Sequence, residues 1–403
     1  MRFAEEVGNI PTFGLEDGVA ETIGRIRVLL KTSTRPVIGL ITGGTSSGKT
    51  KFVAEKVCAA FGDQALRLPM DDYYRGASFM KEEAARGNIL NYDQPEAVDI
   101  PGVATDARSF LDGKPIRKRV YGWDGVSKIT EELIWPKPVV IIEGIFALNE
   151  EIQALGDIRI FVDIGRHGQL LRRLLRDVVE RGDQAPNGIL RYFTGTVIPM
   201  HELHVQPSIR NADLIIRNEY DPFTEAWRSG TAEKQLKFKV PDIDTEKIRR
   251  TGSEFLGATE QIDKYRDLPD GRLGVTGESI RIREVNGKFI FGYKGPRAKS
   301  DCRKRPKFEF EIDKATKDQL SGLYTRLTQT VIKSPRLLYG MDSFIFSVDE
   351  VYCRYGNGPR TFLGKFLEIR VGNDPRSYEA VDRFLDSLGL ERKDAILMAY
   401  SEM

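Results

Sequence analysis

The sequence predicts an α/β domain with a mostly parallel sheet and helices on both faces, followed by an α+β domain built on an antiparallel, tunnel-like β-barrel. Three observations carry this. Residues 36–220 alternate short apolar runs with helix-compatible segments, the pattern of strand–helix–strand units. From residue 232 onward the period changes to two, with charged residues at alternate positions of five segments. Between the halves DPFTEAWRSGT is irregular, which places a linker at 221–231. With 403 residues, 40% of them hydrophobic, the chain can bury two separate cores.

Taken in order, residues 1–35 contain ETIGRIRVLLK, a helix-like stretch expected to be an N-terminal extension packed on the following sheet. The runs PVIGLIT, KPVVIIEGIFAL and DIRIFVDI are short, rich in Val and Ile, and bounded by Pro, Gly or charge, so they read as buried central strands. The segment LLRRLLRDVVERG reads as a helix. In the second half EKQLKFKV, SIRIREV, KFIFGYKG, KFEFEI and KFLEIRV alternate with period two, and any one of them alone fits a half-solvated sheet. Five together fit a closed barrel with a charged lumen and apolar faces packed outward.

Charge is balanced, 61 basic against 59 acidic residues for a net +2, which gives no general attraction to nucleic acid or membrane. The basic run RAKSDCRKRPK has no interleaved aromatics and reads as the approach to a strand, not a nucleic-acid arm. Cys58, Cys302 and Cys353 lie far apart and the chain has only three histidines, which argues against disulfides and a Cys/His zinc site. MRFAEEVGNI lacks the pattern of a signal peptide and no apolar run approaches a membrane span. A soluble cytoplasmic protein is the expectation; homo-oligomerisation stays open.

The chemistry starts at Gly43-Gly44-Thr45-Ser46-Ser47-Gly48-Lys49-Thr50, a full GxxxxGK[ST] phosphate-binding loop between a strand and a helix. Backbone N–H groups and the helix N-terminus there receive phosphate oxygens. Lys49 would reach the outer phosphates and the Thr50 hydroxyl would ligate Mg²⁺. No Walker B aspartate, γ-phosphate switch or guanine-reading motif accompanies the loop, which disfavours motors and GTPases. Glu143, ending VVIIE, has two readings: a carboxylate holding Mg²⁺ through water, or a turn cap. Asp71 and Asp72 follow an apolar stretch and fall at the ligand-binding rim of the sheet, where at most one would face the transferred phosphate; a solvated turn is the alternative.

With these residues in place the first half resembles the uridine kinase branch of the phosphoribulokinase/uridine kinase family. GGTSSGKT, MDDYYR, NYDQPEAVD, VVIIEGIFAL, IFVDIGRHGQLLRRLLRDVVERG and PSIRNADLII follow in that family's order across residues 36–218. The resemblance implies ATP as donor, Mg²⁺ as cofactor, Asp71 as general base, Tyr74, Asp93 and Tyr121 in the acceptor pocket, and Glu143 near the metal. It also implies a lid in which Arg173 and Arg176, opposite the apolar face of the helix, close over the transferring phosphate. Gln94, Gly122, Val126 and Lys128 stand where uridine kinases carry other residues that grip the nucleoside, so the acceptor is left open as nucleoside-like or another small alcohol.

The second half resembles the CYTH, or triphosphate tunnel, domains through AEKQLKFKV, SIRIRE, FGYKGP, RPKFEFEI, SVDEV and LGKFLEIRV, with DSLGLERKDAILMAYSEM matching the final helices. The match covers residues 232–403. It implies Lys237, Arg281, Arg283 and Lys294 on phosphates, and Glu233, Glu309, Glu311 and Glu368 on Mg²⁺ or Mn²⁺. Gln235 and Arg370 replace two of the family's acids, which weakens a hard-cation site. Three readings follow: a kinase of a small hydroxyl acceptor, a tunnel hydrolase of triphosphate or pyrophosphate with a regulatory kinase-like half, and a tunnel that binds nucleotide or polyphosphate without turnover.

Overall fold

The computed structural model describes residues 9–88, 90–122, 125–180, 185–222, 225, 234–241, 245–296, 306–341, 343–371, 375–396 and 400. Two compact units divide the chain: residues 1–183 with 192–220, and residues 184–191 with 221–403. The main division falls between Tyr220 and Asp221, with a short piece of the lid segment grouped with the second unit. Most of that linker, and the basic run before Pro306, lie outside the described residues.

The first unit runs through β1 (Thr12–Gly14), α1 (Leu15–Leu30), β2 (Val37–Gly43), α2 (Glu55–Phe61), β3 (Ala65–Pro69), α3 (Ile100–Leu111), β4 (Ile116–Tyr121), β5 (Ser127–Ile134), β6 (Val139–Glu143), β7 (Ile158–Asp163), α4 (Arg166–Leu174) and β8 (Leu214–Arg217). Six strands form one sheet in the order β1-β8-β7-β2-β6-β3, every pair parallel. The ribbon β4–β5 is antiparallel and separate. Strand β2 shows why the sheet is covered on both sides. Its Ile38 and Leu40 pack with Val103, Ala107 and Phe110 of α3, while Val37 and Ile41 pack with Val19 and Ile26 of α1 and Val57 of α2. Each such fully buried Val, Ile or Leu is worth about 1.5–3 kcal/mol.

Residues 9–35 do more than extend the sheet's cover. Helix α1 packs as expected, with Glu16 and Asp17 in its first turn and Arg27 in its last, aligned with the helix dipole. Ahead of it, β1 adds an edge strand in register with β8. Helix α3 is started by Asp99, whose carboxylate accepts the Gly102 N–H at 3.2 Å.

The second unit comprises β9 (Lys234–Val240), β10 (Glu254–Asp267), β11 (Ser279–Val285), β12 (Lys288–Lys294), β13 (Lys307–Ile312), α5 (Lys314–Leu323), β14 (Arg326–Met341), β15 (Phe344–Tyr355), β16 (Thr361–Val371) and α6 (Pro375–Leu388). All eight strands join in the order β13-β12-β11-β10-β14-β15-β16-β9, antiparallel throughout. Among the described residues no pairing links the edges β9 and β13, so the hydrogen-bonded closure expected of a barrel is not seen. The apolar face lies outward as expected: Leu236, Phe238, Phe344, Phe346, Leu367 and Ile369 pack against Val381, Phe384 and Leu385 of α6.

The other face is charged and buried, with Lys237, Asp263, Arg281, Arg283, Lys333, Arg336, Asp349 and Glu368 all shielded from solvent. Two of these come from an irregularity. Residues three apart on a regular strand face opposite sides. Lys333 lies opposite Val351 and Arg336 opposite Asp349, so β14 uses three residues where β15 uses two, and the bulge turns both cations inward.

Candidate functional sites

The phosphate-binding loop follows β2 directly, and its backbone is shaped by what surrounds it. Gly48 has φ 84°, and a Cβ there would stand 2.3 Å from Asn218 Nδ2. At Gly44 a Cβ would stand 2.3 Å from Gln169 Nε2. Among the described residues Ser46 Oγ and Ser47 Oγ are buried with no hydrogen-bond partner, which suits a loop built to receive an anion's oxygens. Lys49 opens the following helix, and its charge acts on Asp93 and His201.

The Thr50 hydroxyl donates to Glu143 Oε2 at 2.8 Å, and Arg67 Nη1 donates to Oε1 at 2.9 Å. Glu143 is buried at the end of β6, in register with Pro69 of β3. A hydroxyl and a carboxylate side by side, both hard oxygen donors, fit Mg²⁺ carrying its own waters. Arg67, which the sequence reading missed, takes the far carboxylate oxygen and compensates its charge.

Asp71 and Asp72 sit on a 3₁₀ turn, Met70–Tyr73, not in a strand. Asp71 is exposed, whereas Asp72 is half-buried and accepts the Tyr121 N–H at 3.4 Å. Burial raises Asp72 above the ordinary carboxylate range, with Asp71 adding to the rise and the Tyr121 bond opposing it. The expected acceptor residues do come together. Tyr74 packs against Tyr92 and Tyr121, ring centroids 5.7 and 5.5 Å away, and donates to the Tyr92 carbonyl at 2.8 Å. Burial pushes the Tyr74 phenol well up, and the charges of Asp71 and Asp93 add to it. Asp93 accepts from Tyr192 Oη at 2.9 Å, and burial raises its carboxyl against the pull of that bond, Arg173 and Lys49. Tyr192 is a second residue missed in sequence.

The lid arginines are arranged differently from the expectation. Arg173 Nε lies 3.3 Å from Asp177 Oδ2 and Arg176 Nε 2.6 Å from Oδ1, so both charges converge on one buried carboxylate. The Arg173 guanidinium also lies 5.4 Å from the centroid of the Tyr192 ring. Arg172, on the same helix, turns instead to Ser47, Asn218 and Glu219.

In the second unit the interior charges are paired. Asp263 receives Arg281 Nη1 at 3.2 Å and Arg283 Nε at 2.7 Å, and although burial works to raise it, the two guanidinium groups hold it far below its ordinary value. Arg281 also reaches Glu309 across β12, over Gly292, where a Cβ would make only ordinary contact with Arg281 Nε at 3.5 Å and the Glu309 side chain at 3.6 Å. Lys307 Nζ is 2.9 Å from Glu309, and against the effect of burial Arg281 and Lys307 bring that carboxyl down to about 2. Lys333 Nζ contacts Glu368 at 2.5 Å and Asp349 at 3.1 Å, with Arg336 3.2 Å from Asp349 and 3.4 Å from Glu368. Lys237 and Lys333 lie 4.2 and 4.7 Å from the centroid of the Tyr400 ring. Lys294 lines a small cavity with Tyr265, Ser279, Arg281, Gly292, Tyr293 and Glu309.

The expected tunnel metal ligands are not gathered. Glu311 is exposed, 2.9 Å from Lys288, because it lies at the far end of β13 beyond the buried interior. Glu309 and Glu368 are each committed to two cations. Among the described residues no group of three or more His, Cys, Asp or Glu could hold a metal. Glu233 lies outside the described residues. Arg370 is exposed and pairs in register with Gln235. Asp263, Lys333 and Arg336 carry much of the interior charge and were not singled out in sequence, and Asp349 entered only as part of the SVDEV segment.

Comparison with known proteins agrees with both geometries. The phosphoribulokinase/uridine kinase family model matches residues 37–222, and the CYTH domain model matches residues 232–399. A uridine kinase of Ligilactobacillus salivarius is 36% identical over 212 residues, covering 52% of this chain and 94% of that protein. One from Halobacterium salinarum is 36% identical over 178 residues, 44% of this chain and 77% of the relative. The inorganic pyrophosphatase TTM1 of Arabidopsis thaliana is 26% identical over 359 residues, which is 86% of this chain but only 53% of that relative. No helix among the described residues is long and apolar enough to cross a membrane. A loop, rim and paired interior of this kind, matched over both halves, show that the chain belongs to the phosphoribulokinase/uridine kinase family and carries a CYTH domain behind its kinase-like half.

Proposed function

We propose that the first unit is an ATP- and Mg²⁺-dependent kinase that transfers the γ-phosphate to a hydroxyl of a nucleoside-like or other small acceptor. The observation that carries this is the meeting at one sheet rim of the phosphate loop, the Thr50–Glu143 pair and the Asp71, Tyr74, Asp93 and Tyr121 acceptor wall. In the reaction the acceptor oxygen bonds to the γ-phosphorus as the bridging bond to the β-phosphate breaks, ADP leaves, and Asp71 takes the hydroxyl proton. Lys49 carries charge developing on the transferred group, and Arg173 and Arg176 add to it once they turn from Asp177. Thr50 and Glu143 would hold Mg²⁺, which supplies charge neutralisation between the phosphates.

The test is product analysis with ATP, Mg²⁺ and a panel of nucleosides, sugars and vitamins, comparing wild type with Lys49→Ala and Asp71→Asn. Loss of transfer on the order of a hundred-fold or more in both variants is expected. Failure of wild type to phosphorylate any acceptor, with ATP binding intact, rules the kinase reading out.

For the second unit we infer a site for a polyphosphate anion such as triphosphate or pyrophosphate, or for a nucleotide's phosphates. Its buried lysines and arginines and its cavity at Arg281 and Lys294 support binding, and the committed carboxylates favour binding without turnover. The name of the plant relative favours hydrolysis of pyrophosphate instead. Phosphate release that survives Lys49→Ala and disappears in Glu368→Ala would establish hydrolysis in this unit. Triphosphate binding without release would establish the binder.

A further inference from the structure

Helix α4 and the end of β8 hold the phosphate loop from behind through a connection that the kinase reading does not use. Asn218 follows β8, is 3% exposed, and donates from its backbone to the Asp163 carbonyl at 2.9 Å. Its Nδ2 donates to the Ser47 carbonyl at 2.6 Å. Arg172 Nη1 donates to the same Ser47 carbonyl at 3.4 Å and to the Asn218 carbonyl at 3.2 Å. Its Nη2 donates to Asn218 Oδ1 at 3.3 Å and to the Glu219 carbonyl at 3.2 Å. The guanidinium plane is further held 5.5 Å from the centroid of the Phe52 ring, on the first turn after the loop.

The consequence follows from peptide geometry. In a planar trans peptide the carbonyl oxygen of one residue and the N–H of the next point in opposite directions. Two donors on the Ser47 oxygen therefore turn the Gly48 N–H the other way, away from Asn218 and Arg172. That N–H has no acceptor among the described residues, while the Gly48 carbonyl is used by Phe52 N at 2.9 Å to start the helix. The left-handed φ of Gly48 and its lack of a side chain let Asn218 approach this closely. Arg172 is thus distinct from Arg173 and Arg176, which converge on Asp177.

We propose that Arg172 and Asn218 are positioning residues for nucleotide binding: together they fix the Ser47–Gly48 peptide so that its N–H meets a phosphate oxygen of the bound nucleoside triphosphate. The proposal rests on the nucleotide-binding reading of the loop. It differs from a direct phosphate contact by Arg172, in which the positive charge alone would matter and Asn218 would not.

The experiment is calorimetric titration of the full chain with ATP and Mg²⁺, using Lys49→Ala to mark the signal that belongs to this loop. The variants are Asn218→Asp, which keeps the shape and removes the amide donor, Arg172→Gln, which removes the fork, Arg172→Lys, which keeps the charge, and Asn218→Asp with Arg172→Gln together. Thermal unfolding is followed in parallel. Asn218→Asp and Arg172→Gln should each weaken ATP binding roughly ten-fold, as expected for losing one or two hydrogen bonds to a shared carbonyl. Arg172→Lys should fall between Arg172→Gln and wild type. Because both side chains act on one oxygen, the double variant should lose less than the product of the single losses. The acceptor KM should not change.

ATP affinity equal to wild type in folded Asn218→Asp overturns the proposal, as does Arg172→Lys behaving as wild type while Asn218→Asp is neutral. A fall in unfolding temperature with unchanged affinity assigns the residues to the fold alone and also overturns it. Wild type that binds no ATP overturns the nucleotide reading itself, and is distinguished from failure of the positioning role by the wild-type titration.

Discussion

Replacing Asp263 by Asn is the sharpest test of the charged interior. The substitution keeps the side chain's shape and removes the one carboxylate that Arg281 and Arg283 share, at 3.2 and 2.7 Å, in a position 1% exposed. Arg281 retains Glu309, but among the described residues Arg283 is left buried with no other carboxylate at hydrogen-bond distance. Removing one partner of a buried ion pair costs about 3–5 kcal/mol. For a unit of this size each kcal/mol moves the transition by about 2–4 °C, so the second unit's melting should fall by about 6–20 °C. Differential scanning calorimetry of the full chain reads this, with ATP and Mg²⁺ added in a second scan to identify the first unit's transition by its upward shift. Inorganic triphosphate should raise the second transition more in Asp263→Asn than in wild type, because the anion supplies the missing negative charge. A fall under 2 °C, or no difference in the response to triphosphate, would refute the view that this interior is an anion site whose cations are paired with its own acids.

Other perturbations test separate contacts. Thr50→Val removes the hydroxyl that donates to Glu143 at 2.8 Å and should raise the Mg²⁺ concentration needed for ATP binding about ten-fold, read by titration, with little change in unfolding temperature. Gly48→Ala places a Cβ 2.3 Å from Asn218 Nδ2 at a backbone φ of 84°, and should abolish ATP binding while the second unit's transition stays in place. Acid should weaken the second unit selectively. Glu309 is held at about 2, below its ordinary 4.5, so the stability it contributes is present above pH 4.5 and is lost as pH falls from there toward 2. Asp263, depressed further, extends the same loss to lower pH; unfolding followed between pH 6 and 3 should show less of this loss in Glu309→Gln.

The parallel sheet was legible because its central strands are apolar on both faces: VIGLITG and VVIIE are buried at every position. The tunnel strands were legible through their period of two. Glu309 and Glu311 show the limit of that signal. They share a face, but strand position decides burial, and Glu311 ends beside Lys288 in solvent. Asp263 was within reach, since Gln261, Asp263, Tyr265 and Asp267 alternate in EQIDKYRD and are all buried. Lys333 and Arg336 were not, because their spacing of three reads as opposite faces until the β14 bulge is known. In the first half the helical face of α4 separates arginines from leucines but cannot say which carbonyl or carboxylate each guanidinium meets; Asp177 and Asn218 decide that in three dimensions.

The bulge in β14 makes chain length itself a determinant of the interior's chemistry. With the three-for-two step between Lys333 and Arg336, both cations face inward; without one residue of it, every side chain on one flank of the step would change sides. A one-residue deletion there, leaving composition almost untouched, would export a positive charge to the surface or import an apolar group among Asp349 and Glu368. The segment thus behaves like a phase marker in the strand: substitutions within it alter a contact, whereas insertions and deletions rewrite which half of β14 the interior can read.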